Sequence, residues 1–131
     1  MNIQTHQAIG VFDSGIGGLT VVRSLMERLP FENIIYFGDT ARVPYGVKSV
    51  EAINRYALQI VEFLLKKDVK LLIVACNTMA AVAYQAIRDL SPVPVLEVIE
   101  ASAKIAVDRT RSKAIGVIGR ASCRERVFRT V

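Results

Sequence analysis

The chain has 131 residues, 52% of them hydrophobic, and a mean hydropathy of +0.36, which excludes disorder and suits one domain with a buried core. The net charge of +5 suggests a nucleic-acid partner only until its distribution is read: residues 1–100 hold nine Lys/Arg against ten Asp/Glu, residues 101–131 eight against two. The body is nearly neutral, so no nucleic acid is required.

In chain order, Gln7–Phe12 (QAIGVF) reads as a short apolar strand running into Asp13-Ser14-Gly15-Ile16-Gly17-Gly18. Leu19, Val22, Leu25, Met26 and Leu29 then recur at helical spacing until Pro30. Asn33–Phe37 is a second strand, ending at Gly38-Asp39-Thr40, and a loop carries Pro44, Tyr45 and Gly46. Ser49 is placed to cap a long amphipathic helix with Ile53, Tyr56, Ala57, Ile60, Phe63 and Leu64 on one face. Lys70–Cys76 has the near-continuous apolarity of a strand buried on both faces. An Ala-rich helix runs from Asn77 to about Leu90, where Ser91-Pro92-Val93-Pro94 breaks it. Val95–Ile99 reads as a fourth strand, followed by a helix from about Ala101 and a last strand, Ala114–Ile118.

This alternation predicts an α/β fold: a parallel sheet with helices on both faces, in three layers. In such sheets ligands bind outside the carboxyl ends of the strands. Here those ends are Asp13-Ser14, Asp39-Thr40 and Cys76-Asn77-Thr78, each a polar or reactive group directly after an apolar run.

Neither nucleotide motif at the first turn is complete. Thr20 stands where a GxGxxG needs its third glycine, and Ile16-Gly17 where a P-loop needs Lys-Ser/Thr. The glycines then serve either a tight turn needing positive φ or backbone N–H groups that hold a carboxylate or phosphate. Cys76 is either a small inert hydrophobe or, at a helix N-terminus that favours a thiolate, a base or nucleophile. Asp13 and Asp39 are a Mg²⁺ pair without an evident third acid, or Asp39 is a cap or turn residue. Tyr45 is a packing residue or, with a backbone donor from Gly46, a pocket wall. The sole histidine, His6, lies ahead of the first strand, away from any Cys-His pair.

Two cysteines, Cys76 and Cys123, make no disulfide framework, and no apolar run reaches the ~18 residues of a membrane span. MNIQTHQAIGVF lacks the pattern of a secretory signal. A cytoplasmic protein with reduced thiols and no membrane association is expected.

Three segments taken together, Asp13–Thr20 (DSGIGGLT), Tyr36–Gly46 (YFGDTARVPYG) and Ala75–Thr78 (ACNT), resemble those of bacterial glutamate racemases in order and spacing, over about Ile9 to Gly119. The resemblance implies cofactor-independent interconversion of L- and D-glutamate, supplying D-glutamate for peptidoglycan. It implies two cysteines on opposite sides of the substrate α-carbon, one a thiolate base and the other a thiol acid. Cys76 corresponds to the first, no metal is used, and the intact enzyme is compatible with a homodimer. Asp13, Ser14, Tyr45, Gly46, Asn77 and Thr78 correspond to substrate-binding positions, whereas Asp39 belongs mainly to loop structure.

The likeness stops after Gly119. In place of a Thr-containing loop and a second α/β domain with a Cys-Thr-His motif, the sequence reads RASCRERVFRTV, with Cys123 followed by Arg124-Glu125. The expectation is a racemase N-terminal domain over residues 1–119, the first of two, with the second absent and an unrelated basic tail at 120–131. Such a chain is expected to racemise poorly and to expose apolar surface. The competing readings are an aspartate racemase, a non-catalytic carboxylate- or phosphate-binding module, and a Mg²⁺-dependent phosphoryl enzyme.

Overall fold

A computed structural model describes residues 6–117. Four strands, β1 (Ala8–Asp13), β2 (Ile34–Gly38), β3 (Val69–Val74) and β4 (Val95–Glu97), form one wholly parallel sheet in the order β2-β1-β3-β4. The helices α1 (Leu19–Arg28), α2 (Val50–Leu65) and α3 (Asn77–Leu90) lie between successive strands, and α4 (Val98–Arg109) follows β4. The chain moves outward from β1 to β2, then returns to place β3 on the other side of β1. That reversal makes the carboxyl ends of β1 and β3 the switch point of the sheet, the place where ligands bind in folds of this kind.

Strand alternation sorts the core into two faces. Phe12, Leu72 and Val74 point toward α2 and α3, against Ile53, Ala57, Ile60, Val61 and Leu64 of one helix and Met79, Ala80, Ala83 and Ile87 of the other. Ile9, Val11 and Ile73 point the opposite way, toward Val21, Val22 and Leu25 of α1. The expected helix-covered parallel sheet is therefore present. β1 is buried at all six residues because it has a strand on each side and helices on each face. Gly10 leaves room for the side chains of the neighbouring β3, since a Cβ there would lie 3.0 Å from Leu72 Cδ2 and 3.2 Å from Val69 Cγ1.

Helix starts follow local side-chain chemistry. Ser49 Oγ accepts from Ala52 N at 3.2 Å and caps α2 as the sequence predicts. α4 begins at Val98, not near Ala101, and β4 stops at Glu97, not Ile99. The Glu97 carboxylate accepts from the Ile99 and Glu100 amides, which turns the chain into a helix two residues before Ile99 could extend the strand. Residues 114–117 are not a strand either: no ladder pairs them among the described residues, and Ala114 N turns back to Ser112 Oγ. The remainder of that expected strand, Ile118, lies outside the described residues, as does the expected tail at 120–131.

Candidate active site

The carboxyl end of the sheet is built from three loops. At the end of β1, the Asp13 carboxylate folds back over its own turn, accepting from Ser14 N at 2.7 Å and Gly18 N at 2.8 Å. Gly18 starts α1 without a side-chain cap of its own, so Asp13 supplies one from the strand end. The positive-φ role expected of these glycines is incorrect: among the described residues no glycine has positive φ. What the loop requires is close approach. A Cβ on Gly18 would fall 2.8 Å from Asp13 Cβ and 3.1 Å from both Ala75 Cβ and Tyr36 Cε2. One on Gly38 would fall 2.3 Å from the Gly15 carbonyl oxygen.

At the end of β3, Cys76 is the N-cap residue of α3, with extended backbone and a side chain that is 4% exposed. Its sulfur accepts from Met79 N at 3.5 Å, and its thiol donates to Ser14 Oγ at 3.5 Å. The sulfur thus occupies the position where an α-helix offers unsatisfied N–H groups and the positive end of its dipole. Asn77 (exposed) and Thr78 (half-buried) form the first turn of the same helix. The structure thereby brings Asp13, Ser14, Cys76, Asn77 and Thr78 to the carboxyl ends of β1 and β3.

The third loop behaves differently. Tyr45 is fully buried, its ring 5.9 Å from that of Tyr56, and its hydroxyl donates to Asp39 Oδ2. Arg42 Nε lies 2.7 Å from the same oxygen, and its guanidinium stacks 4.2 Å over Tyr56 while Nη1 donates to Gln59 at 2.7 Å. Of the two readings of Tyr45, its side chain fits the packing one; the adjoining Gly46 is exposed. Burial, then the hydrogen bond to Asp39 and that carboxylate's charge, push the Tyr45 hydroxyl far above its ordinary value. Asp39 is a buried hub of the loop, and Asp13 is engaged by its own turn. Among the described residues no group of three or more His, Cys, Asp or Glu is placed to hold a metal. His6 is exposed and precedes β1, at the amino end of the sheet, opposite Cys76.

Sequence reasoning missed one residue here. Tyr36, on the α1 face of β2, donates its hydroxyl to the Gly15 carbonyl at 2.7 Å. The available signal was its place two residues before Gly38 on an alternating strand, which points it at the glycine turn of the neighbouring β1.

A doubly engaged strand-end carboxylate, a hydroxyl against a helix-capping thiol and an adjoining helix start thus meet at the carboxyl end of a parallel sheet, where α/β proteins as a class bind their ligands. The chain belongs to the Asp/Glu/Hydantoin racemase family, which it matches over residues 9–130. It is 76% identical over 111 residues to the glutamate racemase of Syntrophus aciditrophicus, covering 85% of this chain and 41% of that protein. Against the glutamate racemase of Neisseria meningitidis serogroup C the identity is 63% over 118 residues, covering 89% and 44%. Among solved structures, glutamate racemase from Aquifex pyrophilus superposes with a TM-score of 0.85 at 46% identity, covering 88% of this chain and 46% of that one. Glutamate racemase from Francisella tularensis in complex with D-glutamate gives 0.76 at 47% identity, covering 80% and 40%. The chain therefore spans less than half the length of these relatives. No helix among the described residues is long and apolar enough to cross a membrane.

Proposed function

We propose that this chain is the N-terminal domain of a glutamate racemase and supplies one of its two proton-transfer thiols. The observation that carries the reading is the Cys76 sulfur at the N-cap of α3 against Ser14 Oγ. Inverting the α-carbon of an amino acid needs a base on one face and a proton donor on the other. Cys76 is that group on one face, its sulfur seated at the helix start and within hydrogen-bond reach of the Ser14 hydroxyl. The substrate α-carboxylate lies at the first turn of α3, held by Asn77 and Thr78 and by N–H groups already oriented toward an anion. Asp13 fixes Ser14 and supports proton transfer at the thiol, and the exposed Gly46 backbone beside Tyr45 closes over the substrate. The domain takes in residues 1–119, and the family match continues to residue 130.

In this reading the second thiol belongs to the part of the relatives' length that this chain does not span, so the chain alone exchanges protons on one face and inverts glutamate poorly. The reaction uses the two thiols without a cofactor, in the cytoplasm, where thiols stay reduced, and delivers D-glutamate to peptidoglycan synthesis. A homodimer of the intact enzyme fits the same scheme. The test is incubation of the purified chain with L-glutamate and, separately, with D-glutamate in D₂O, followed by proton NMR and chiral chromatography. Deuterium entering the α-position of one enantiomer, with little inversion and with loss of exchange in Cys76→Ala, is expected. Exchange that survives Cys76→Ala would sink the assignment.

A further inference from the structure

The glycine turn that carries Asp13 and Ser14 has no side chain of its own from Gly15 to Gly18 except that of Ile16, which is exposed. Something else must fix it. One hold is the Asp13 carboxylate, on the Ser14 and Gly18 amides. The other is Tyr36, whose hydroxyl donates to Gly15 O at 2.7 Å. The Tyr36 ring is wedged between two glycines: a Cβ on Gly18 would sit 3.1 Å from its Cε2, and one on Gly38 3.2 Å from its Cε1. The Gly15 carbonyl that it grips is itself pressed against Gly38. Tyr36 therefore contacts the turn at both ends, while Ser14, between Asp13 and Gly15, is the residue that meets the Cys76 sulfur.

We propose that Tyr36 is a positioning residue for Cys76: by clamping the Gly15 carbonyl it holds Ser14 Oγ against the sulfur and keeps the thiol covered. Burial, and after it the charges of Asp13 and Cys76, raise the Tyr36 hydroxyl above its ordinary value. The group thus stays protonated, the form that can donate to a carbonyl, wherever the thiol works. Tyr36 lies within electrostatic reach of both Asp13 and Cys76, while its hydroxyl is spent on the Gly15 carbonyl. The role rests on the proton-transfer reading of Cys76, but its first test needs no substrate.

Cys76 is almost fully buried, so alkylation requires the turn to open, and the rate follows the population of the open form. The experiment is iodoacetamide labelling of the full chain, read separately at Cys76 and Cys123 by peptide mass spectrometry. Tyr36→Phe keeps the ring and removes one hydrogen bond, so labelling of Cys76 is expected to quicken about five-fold, the factor corresponding to one ordinary net hydrogen bond. Ser14→Ala uncovers the sulfur directly and should quicken it as well. Because Tyr36 acts through Ser14, the double variant should label no faster than Ser14→Ala alone. Two effects that multiply instead would mean general loosening, and an unchanged or slower rate in Tyr36→Phe would mean no clamp; either overturns the proposal. The D₂O exchange assay run on the same variants separates the two readings. Coupled labelling without exchange in any chain retains the clamp and removes the racemase role. Exchange with uncoupled labelling does the reverse.

Discussion

Three glycines in one turn have unequal reasons to be glycine, and this is testable one residue at a time. A methyl group on Gly18 meets Asp13 Cβ at 2.8 Å, with Ala75 and Tyr36 just behind, none of them the far end of a flexible side chain. Gly18→Ala should therefore destabilise the chain by about 2 kcal/mol, the cost of forcing a packed site apart. The nearest atom to a methyl group on Gly17 is Asp13 Oδ2 at 3.5 Å, an ordinary contact, so Gly17→Ala should lie within about 0.5 kcal/mol of the parent. Urea unfolding of both variants checks this, and equal losses would contradict it. From the sequence, glycine density marked the turn and its place after a strand marked the site, but the reason for the glycines was not legible. Close approach depends on what the partner elements bring, here Ala75 after β3 and Tyr36 from β2, and no local pattern announces that.

Among the elements, those with strong local chemistry were legible and those that depend on a neighbour were not. Ser49 ahead of a three- and four-residue apolar spacing gave α2 its start, and Ser49→Ala should cost about 1 kcal/mol in thermal or urea unfolding. The helix start at Asn77 was readable in the same way, but β3 stops at Val74, two residues short of the expected end at Cys76, and Cys76 instead caps α3. Val95–Ile99 and Ala114–Ile118 looked alike, as short apolar runs, because β-propensity reports fit to a half-buried surface and not the presence of a ladder. Among the described residues only Val95–Glu97 has a partner, and a glutamate cap, rarer than Ser or Asp, ends it. The loop from Asp39 to Val47 makes a pH prediction. Tyr45, and less strongly Tyr36, have hydroxyls held above their ordinary value of 10.0 in the folded chain, led by burial in both. Below pH 10 both states keep these protons and the contribution to stability is full. Above it the unfolded chain releases them first, so stability falls as pH rises. Alkaline unfolding should steepen beyond about pH 10, and Tyr45→Phe should flatten that limb; an unchanged slope would detach Tyr45 from it.

At the scale of the molecule, the apolar surface records where this domain expects company. Among the described residues β4 is an edge strand with Leu96 exposed, α4 buries none of its residues, and Ile105 and Val107 stand in solvent. The site at Cys76 is bounded by β1, β3 and α3, whereas a racemase needs a second acid–base group across the substrate. Joining residues 1–117 to the portion of the Syntrophus aciditrophicus glutamate racemase that this chain does not span tests both features together, since the two sequences are 76% identical over the shared part. The fusion should interconvert L- and D-glutamate, and Cys76→Ser within it should lower kcat at least 100-fold in both directions, since general acid–base groups contribute about 10²–10⁴-fold. It should also elute closer to a single discrete size than the 131-residue chain, whose exposed apolar side chains favour concentration-dependent association. A fusion that folds, binds glutamate and keeps full activity without the Cys76 sulfur would remove the residue from the reaction.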